Sequence, residues 1–219
     1  MKPCTRIALA TLPLLTAGCH HMSFPAIHGS GIRVDEVRST EEFAAVSLRL
    51  PADVVVEVGP ATSLSISGDD NVLPLVETHV QGGRLVIDLE GNYRLKAPMK
   101  IHIETPRLES FEIEGSGDVE IRNVAGDRFV ASIEGSGDLV VTGSVNRLEA
   151  SIEGSGDMRL RGLKAREANL SIEGSGEMEV DASDHLHYSI EGSGDITYHG
   201  DPRVSGSVEG SGDVRRKRE

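Results

Sequence analysis

The sequence has few thiols, few aromatic side chains and a shortage of basic residues, and each shortage argues against a class of protein. Its 219 residues include two cysteines, Cys4 and Cys19, no tryptophan and only 3% aromatic residues. A domain that follows Cys19 has no disulfide, and it offers few rings on which bases or sugars could stack. The 35 acidic residues outnumber the 22 basic ones, for a formal net charge of -13. This balance argues against nucleic acids and anionic membrane surfaces as partners.

Residues 1–18 have the features of a secretory signal peptide. Lys2 and Arg6 give a positively charged start, and they precede an apolar run at residues 7–15. That run is too short to span a bilayer, which distinguishes a signal from a transmembrane helix. We therefore expect residues 1–18 to be removed from the mature protein.

The signal ends in LTAGC, which resembles a bacterial lipobox, although Thr16 stands where an aliphatic residue is usual. The resemblance implies that Cys19 is lipidated and anchors the protein to a membrane. An ordinary cleaved signal followed by an incidental cysteine is the alternative. An aspartate directly after the lipidated cysteine would resemble an inner-membrane retention signal, but His20 occupies that position. We therefore expect an outer-membrane lipoprotein of the bacterial envelope. Residues 19–33 mix Gly, Ser, Pro and His without periodicity and are interpreted as the lipidated cysteine and a flexible tether.

The tetrapeptide EGSG occurs six times in the C-terminal half, at residues 114–213. Its glutamates, named here the glutamate column, are Glu114, Glu134, Glu153, Glu173, Glu191 and Glu209. They are separated by 20, 19, 20, 18 and 18 residues. A fixed period near 20 is typical of a solenoid, in which each coil buries its apolar face against its neighbours.

One repeat alternates in the manner of a half-buried strand. In FVASIE, the apolar residues Phe129, Ala131 and Ile133 occur at every second position. Glycines then allow a corner, and a second short strand and a second corner follow. Coils of about 18–20 residues built in this way predict an all-β parallel β-helix. Equivalent residues would stack about 4.8 Å apart, with an internal ladder of aliphatic side chains from Ile113 to Val208.

The segment before the repeats is also rich in strand patterns, but its spacing is less regular. Stretches such as FAAVSLRL, DVVVEVG and MKIHIETP alternate or run apolar between turn residues. We interpret them as the first coils of the same solenoid, and NVLPLVE as a short helical turn. Residues 214–219 form a basic tail that blocks end-to-end stacking of open strands. Alternatively, this tail contacts anionic lipid or the acidic columns of its own chain.

These features together resemble a known family. The stretches FAAVSLRLPADVVVEVG, LSISGDDNVLPLVETHVQGGRLVIDL and KIHIETPRLESFEIEGSGDV, followed by the repeats, are similar in order to the head GIN domain of putative autotransporter adhesins. The resemblance covers roughly residues 34–213. It implies a right-handed parallel β-helix in a bacterial envelope protein with a role in adhesion, and it brings no catalytic residues.

The acidic residues of the repeats are the main candidates for a binding site. A second set, named here the corner-acid column, follows each GSG: Asp118, Asp138, Asp157, Glu177, Asp195 and Asp213. Like charges about 4.8 Å apart repel by roughly 0.9 kcal/mol per pair in water. Bound cations would offset this repulsion, and calcium suits carboxylates and carbonyl groups at glycine-rich turns. Alternatively, the corner acids bond to the amides of their own turns, and the outward glutamates keep the solenoid soluble.

The sequence therefore predicts a non-catalytic, lipid-anchored envelope protein that presents a β-helical surface to an unknown protein or glycan ligand. It predicts no cofactor other than optional calcium. The first alternative is a calcium-binding scaffold of the envelope. An enzyme that acts on polysaccharides is less favoured, because a repeated column is a poor way to build one catalytic centre. His185 and His187 flank the inward Leu186 and would bind zinc only together with a third ligand.

Overall fold

Strands form nearly all of the regular structure, as the alternating pattern predicts. The computed structural model describes residues 26–217. The N-terminal half forms β1 (Ile27–His28), β2 (Arg33–Arg38), β3 (Ala45–Arg49), β4 (Asp53–Val58), β5 (Ser63–Asp69), β6 (Glu77–Gln81), β7 (Arg84–Asp88), β8 (Tyr93–Arg94) and β9 (Lys100–Thr105). A short 3-10 helix at Leu73–Leu75 confirms the turn predicted in NVLPLVE. The repeats form β10 (Ser110–Gly115), β11 (Val119–Gly135), β12 (Asp138–Gly154), β13 (Asp157–Gly174), β14 (Glu177–Gly192), β15 (Asp195–His199), β16 (Arg203–Gly210) and β17 (Val214–Arg216).

The repeats stack as parallel coils. Strands β10, β11, β12, β13, β14 and β16 pair in that order, and equivalent residues of the EGSG copies lie opposite one another. Strands β11 to β14 are long because each continues around a corner, where the register shifts, as it does between Ile121 and Val124. Each coil has a second side, formed by the strand segment that follows the GSG corner. Strands β15 and β17 continue this second side beyond β14. The predicted β-solenoid is confirmed.

The aliphatic residue before each glutamate packs in the core that runs along the stack. The five isoleucines from Ile113 to Ile190 are at most 1% exposed, which confirms the predicted ladder over these coils. Val208, predicted as its last member, is instead 38% exposed. It lies on β16, in the last coil, so one side of its side chain has no further coil to pack against.

From the second EGSG copy onward, both glycines of the GSG corner are required by the close approach of successive coils. Gly135 has φ +132°, and a Cβ atom there would lie 2.3 Å from the carbonyl oxygen of Gly115 in the preceding coil. A Cβ atom on Gly137 would lie 2.5 Å from the carbonyl oxygen of Gly117. Side chains are excluded at both positions by backbone atoms, and this explains why the tetrapeptide recurs with so little change.

The N-terminal half belongs to the same solenoid, but its coils do not stack in chain order. Strands β3 and β4 pair in parallel with β10 and β11 on one side, and with β7 and β9 on the other. The coil at residues 45–58 therefore lies between the coil at residues 84–105 and the first repeat.

The far end of the stack departs from the parallel arrangement predicted for residues 34–213. Strand β5 pairs antiparallel with both β2 and β9, and β6 pairs antiparallel with β7. The β6–β7 connection is a tight hairpin at Gly82 and Gly83, both with positive φ. These returning strands cover the edge that the outermost parallel coil would otherwise expose.

Both ends of the predicted domain extend further than the sequence indicated. Residues 27–33, predicted as tether, include β1, in which Ile27 pairs with Tyr93 of β8. The amide of Gly31 also donates a 2.7 Å hydrogen bond to Asp69 Oδ1. At the other end, the start of the predicted basic tail forms strand β17, which pairs with β15. Residues 1–18 and the first part of the predicted tether lie outside the described residues.

Candidate functional site: the outward columns of the repeats

The glutamate column is a straight, solvent-facing row across six strands. Its members pair in register from Glu114 on β10 to Glu209 on β16. Each follows a core aliphatic position, and the period of two along a strand therefore turns its side chain outward. From Glu134 onward all members are exposed. The predicted column is therefore present in the structure.

A single arginine neutralises one end of the glutamate column. Arg49 Nε lies 2.9 Å from Glu114 Oε1, because Arg49 follows Leu48, which pairs with Ile113. Among residues 26–217, the other five glutamates of the column form no ion pair. Their charges face solvent at the spacing between adjacent strands, about 4.8 Å.

A row of serines lies beside the glutamates on the same outer sheet surface. Its members, named here the serine column, are Ser132, Ser151, Ser171, Ser189 and Ser207. Ser151 Oγ donates to Ser132 Oγ at 3.2 Å. The next outward row contains Glu149, Asn169 and His187, and together these rows line a shallow groove of about 390 Å³. We name the serine column, the glutamate column and this groove the serine–glutamate face.

One wall of the groove carries a fixed ion pair. Arg128 hydrogen-bonds Glu149, and this contact lowers the pKa of the Glu149 carboxyl below its usual value although partial burial acts to raise it. Asn169 and His187 continue that wall over the next two coils. The face therefore combines carboxylates, hydroxyls, an amide and an imidazole, a set suited to hydrogen bonding with a polar ligand.

The corner-acid column also stacks in register, but its charges are largely occupied. Arg159 lies 3.3 Å from Asp138 and 3.7 Å from Asp157. The carboxylate of Asp157 accepts a 3.1 Å hydrogen bond from the amide of Glu177 on the next coil. Two of its members form a further pair, since Asp195 accepts a 2.8 Å bond from the amide of Asp213. These acids mainly join one coil to the next, an arrangement that the repeat pattern alone does not show.

The structure gives no clustered metal centre at the predicted positions. Within residues 26–217, no group of three or more His, Cys, Asp or Glu side chains is arranged to hold a metal ion. His185 and His187 are exposed on either side of buried Leu186, as predicted. The Nδ1 atom of His187 lies 3.3 Å from Ser205 Oγ, and no third ligand joins the two histidines in the described part of the chain.

Near the C-terminus, a buried histidine that the sequence analysis missed contacts the basic tail through a glutamate. His199 is 3% exposed, and its Nε2 atom lies 2.8 Å from Glu179 Oε1. This hydrogen bond lowers the pKa of Glu179 below its usual value, against the effect of partial burial, and Lys217 lowers it further. A cleft of about 450 Å³ lies beside these groups and is lined by Glu177, Thr197, Arg215 and Arg216 among others. An isolated histidine before a turn glycine carries no sequence signal for such a contact.

Cys19, the predicted lipidation site, lies outside the described residues. None of the helical structure in residues 26–217 has the length and hydrophobicity of a membrane-spanning helix.

Residues 42–202 match the model of a protein family described as "Putative auto-transporter adhesin, head GIN domain". No curated protein matches the chain. Two solved structures share the fold at 21% sequence identity. A putative adhesin from Bacteroides fragilis has a TM-score of 0.72 and covers 88% of this chain and 100% of its own. A putative adhesin from Parabacteroides merdae has a TM-score of 0.61 and covers 88% of this chain and 99% of its own. A putative lipid binding protein from Parabacteroides distasonis is 26% identical, with a TM-score of 0.55 and coverage of 89% and 100%.

Proposed function

The chain belongs to the family of the putative auto-transporter adhesin head GIN domain, and on that premise we propose that it is a non-catalytic protein of the bacterial cell envelope. Its solenoid would present the serine–glutamate face to a protein or glycan ligand. The observation that supports this role is the in-register alignment of outward glutamates and serines over five coils. A row of identical groups suits an extended, repeating ligand better than a single small molecule.

The chemistry of the face favours binding over turnover. Catalytic carboxylates act as a pair with distinct roles and different environments. Here, the five coils from Glu134 to Glu209 place the same glutamate in the same exposed position, so none of these five is distinguished as an acid or a nucleophile. The hydroxyl and carboxylate groups instead offer repeated hydrogen-bond partners at a fixed spacing.

This role can be tested by blocking the groove with larger side chains. Arginines in place of Ser151 and Ser171 would cover its floor without touching the core, since both side chains face outward. The matched control is Ser144→Arg, an exposed position away from the groove. Binding of residues 20–219 would be measured on an array of neutral, acidic and amino-substituted glycans and on immobilised envelope glycoproteins. Residues 20–219 contain every buried core side chain.

We expect the S151R/S171R variant to lose most of the binding that the wild type shows on the array, and the S144R variant to keep it. Equal binding by all three proteins would show that the serine–glutamate face is not the binding surface. Absence of binding by the wild type to every arrayed ligand would count against the adhesin-like role.

We also propose that Cys19 is lipidated and anchors the protein in the outer membrane. The motif LTAGC and the preceding apolar run support this anchor. The test is incorporation of a labelled fatty acid in cells, with Cys4→Ala as the matched control for Cys19→Ala. Label that requires Cys19 but not Cys4, in the outer-membrane fraction, is the expected result. Label that persists in the Cys19→Ala variant would refute the anchor.

Calcium binding by the glutamate column is the second candidate function. It is favoured by one observation: five successive glutamates without an ion pair in residues 26–217, beside a corner-acid column that has its own partners. In this role, calcium would bridge carboxylates of adjacent coils and stiffen the solenoid.

A further inference from the structure

Strand β16 is the last in the row of paired strands β10, β11, β12, β13, β14 and β16, and it is open on its outer edge. All eight of its residues are exposed, and its inner edge pairs with β14 from His185↔Arg203 to Gly192↔Gly210. An edge strand leaves a row of backbone N–H and C=O groups without partners, and it is therefore a template for another strand. At the opposite end of the stack, the antiparallel strands β5 and β6 pair with the outermost parallel coil, and β2 forms an exposed edge beyond β5.

The open edge also exposes the end of the apolar core. Val204 and Val208 continue the inward rows of Leu186 and Ile190, yet they are 40% and 38% exposed. Gly206 lies between them and pairs with Tyr188. A Cβ atom at Gly206 would lie 2.1 Å from the carbonyl oxygen of Tyr188 and 2.7 Å from its ring atoms, so the backbone and the ring of Tyr188 occupy the space that a side chain would take. The end of the core is thus an apolar patch of two valines and a tyrosine ring.

The sequence of β16 is nearly a palindrome about this glycine. It reads RVSGSVE from Arg203 to Glu209. When two such strands pair antiparallel with Gly206 opposite Gly206, Val204 lies opposite Val208 and Ser205 opposite Ser207. Arg203 then lies opposite Glu209. Valine therefore lies opposite valine, serine opposite serine and glycine opposite glycine, and at each end an arginine lies opposite a glutamate.

We propose that two copies of this chain pair end to end through β16, related by a two-fold axis that passes at Gly206. The interface is isologous, because each strand contributes the same surface to the other. The valines of both strands point to the core side, so the apolar core continues across the junction. Arg203 and Glu209 form two symmetric ion pairs on the outer surface. Directly opposed side chains in antiparallel strands are about 4.5–5.5 Å apart at Cβ, within reach of such pairs.

The described part of the basic tail leaves this edge free. Arg216 lies 2.8 Å from Asp201, and Arg215 lies 3.8 Å from Asp195. Lys217 lies 3.5 Å from Glu179. These contacts hold residues 214–217 along the second side of their own coil. They favour the alternative in which the tail meets acidic residues of its own chain, over its interpretation as a block to end-to-end stacking.

Charge reversal at the two ends of the palindrome tests the proposal. The R203E variant places two carboxylates opposite each other at both ends of the junction, and E209R places two arginines opposite each other at both ends. Each single variant should weaken self-association by about tenfold or more, because like charges then face each other twice. An equimolar mixture of R203E and E209R should restore a dimer, since it pairs two acidic ends of one chain with two basic ends of the other. The R203E/E209R double variant should dimerise on its own, because its opposed charges are again complementary.

The measurement is sedimentation velocity on residues 20–219 over a wide range of concentration, with circular dichroism to confirm that each variant is folded. The matched controls are Arg147→Glu and Glu153→Arg, exposed positions on inner coils. We expect dimers for the wild type and for both controls. A wild type that remains monomeric throughout would overturn the proposal. A dimer that R203E and E209R leave unchanged, or a mixture that stays monomeric, would overturn it as well.

Discussion

Asp69 shows how one buried side chain joins separate parts of the chain. It lies at the end of β5 and is fully buried. Its Oδ1 atom accepts a 2.7 Å hydrogen bond from the amide of Gly31, and its Oδ2 atom accepts bonds of 2.9 Å and 3.1 Å from the amides of Lys96 and Ala97. Burial acts to raise the pKa of this carboxyl, but the three amide donors outweigh it, so the pKa of Asp69 lies below its usual value. The carboxylate thus holds the segment before β2 and the segment after β8 against the stack.

The pKa of Asp69 makes this contact depend on pH. A carboxyl with a lowered pKa in the folded state contributes stability above its unfolded-state pKa of about 3.9, and this contribution is lost as the pH falls through the folded value. The D69N variant lacks that contribution and places an amide NH₂ group against at least one backbone donor. We expect its melting temperature near neutral pH to fall by roughly 5–10 °C, measured by circular dichroism.

The difference in melting temperature between wild type and D69N should begin to shrink as the pH falls below the unfolded-state pKa of about 3.9, because the unfolded chain then takes up a proton. It should be smallest once the pH has fallen through the lowered folded pKa of Asp69, where the folded wild type loses its charge as well. Asp70→Asn is the matched control. Asp70 is exposed and accepts one bond from Ser30 Oγ, so its replacement should have a small effect. A D69N variant as stable as D70N, or a difference that does not change with pH, would contradict the assigned role of the carboxylate.

At the scale of the strands, the repeats could be predicted from the sequence because one rule applies to each coil. The branched aliphatic residue before each glutamate must face the core, and the glycines must make room for the backbone of the preceding coil. Gly135 and Gly137 show this directly, since a Cβ atom on either would collide with a carbonyl oxygen. Equal spacing then determines the register, and the glutamate column follows from it.

The N-terminal strands could not be arranged by the same argument. Their apolar alternation identifies each strand, but alternation does not say which partner a strand has or in which direction it runs. The coil of β3 and β4 is inserted between the β7–β9 coil and the first repeat. This order depends on contacts between segments far apart in the sequence, and the local alternation of residues does not encode it. The antiparallel strands β2, β5 and β6 depend on the same missing information.

The candidate site also has features that the sequence predicts and features that it does not. The outward direction of both acidic columns follows from the strand period, but the partners of the acids do not. Arg159 lies two residues beyond Asp157 and reaches Asp138 on the preceding coil, a contact that requires knowledge of the stacking register. The groove beside the serine column likewise depends on the small side chains of three strands lying next to one another.

For the whole molecule, the distribution of charge is uneven along the solenoid. The N-terminal end of the glutamate column is neutralised by Arg49, whereas five glutamates further along have no ion-pair partner in the described residues. Repulsion along such a row opposes the close stacking that the core favours. Screening by salt or binding of divalent cations would each relieve it, and the two effects differ in how they depend on the ion.

Thermal unfolding in calcium separates these two effects. We expect CaCl₂ to raise the melting temperature of residues 20–219 more than NaCl at equal ionic strength, in a saturable way that EDTA reverses. The E153Q/E173Q variant interrupts the row at its centre, so it should lose this excess while melting about 1–3 °C higher than the wild type without calcium. The matched control is E120Q/E149Q, because both of its glutamates are paired with arginines and it should keep the calcium effect. Equal responses to calcium and sodium in the wild type would eliminate cation binding by the glutamate column. The row would then act through solubility and through the ligand-binding face alone.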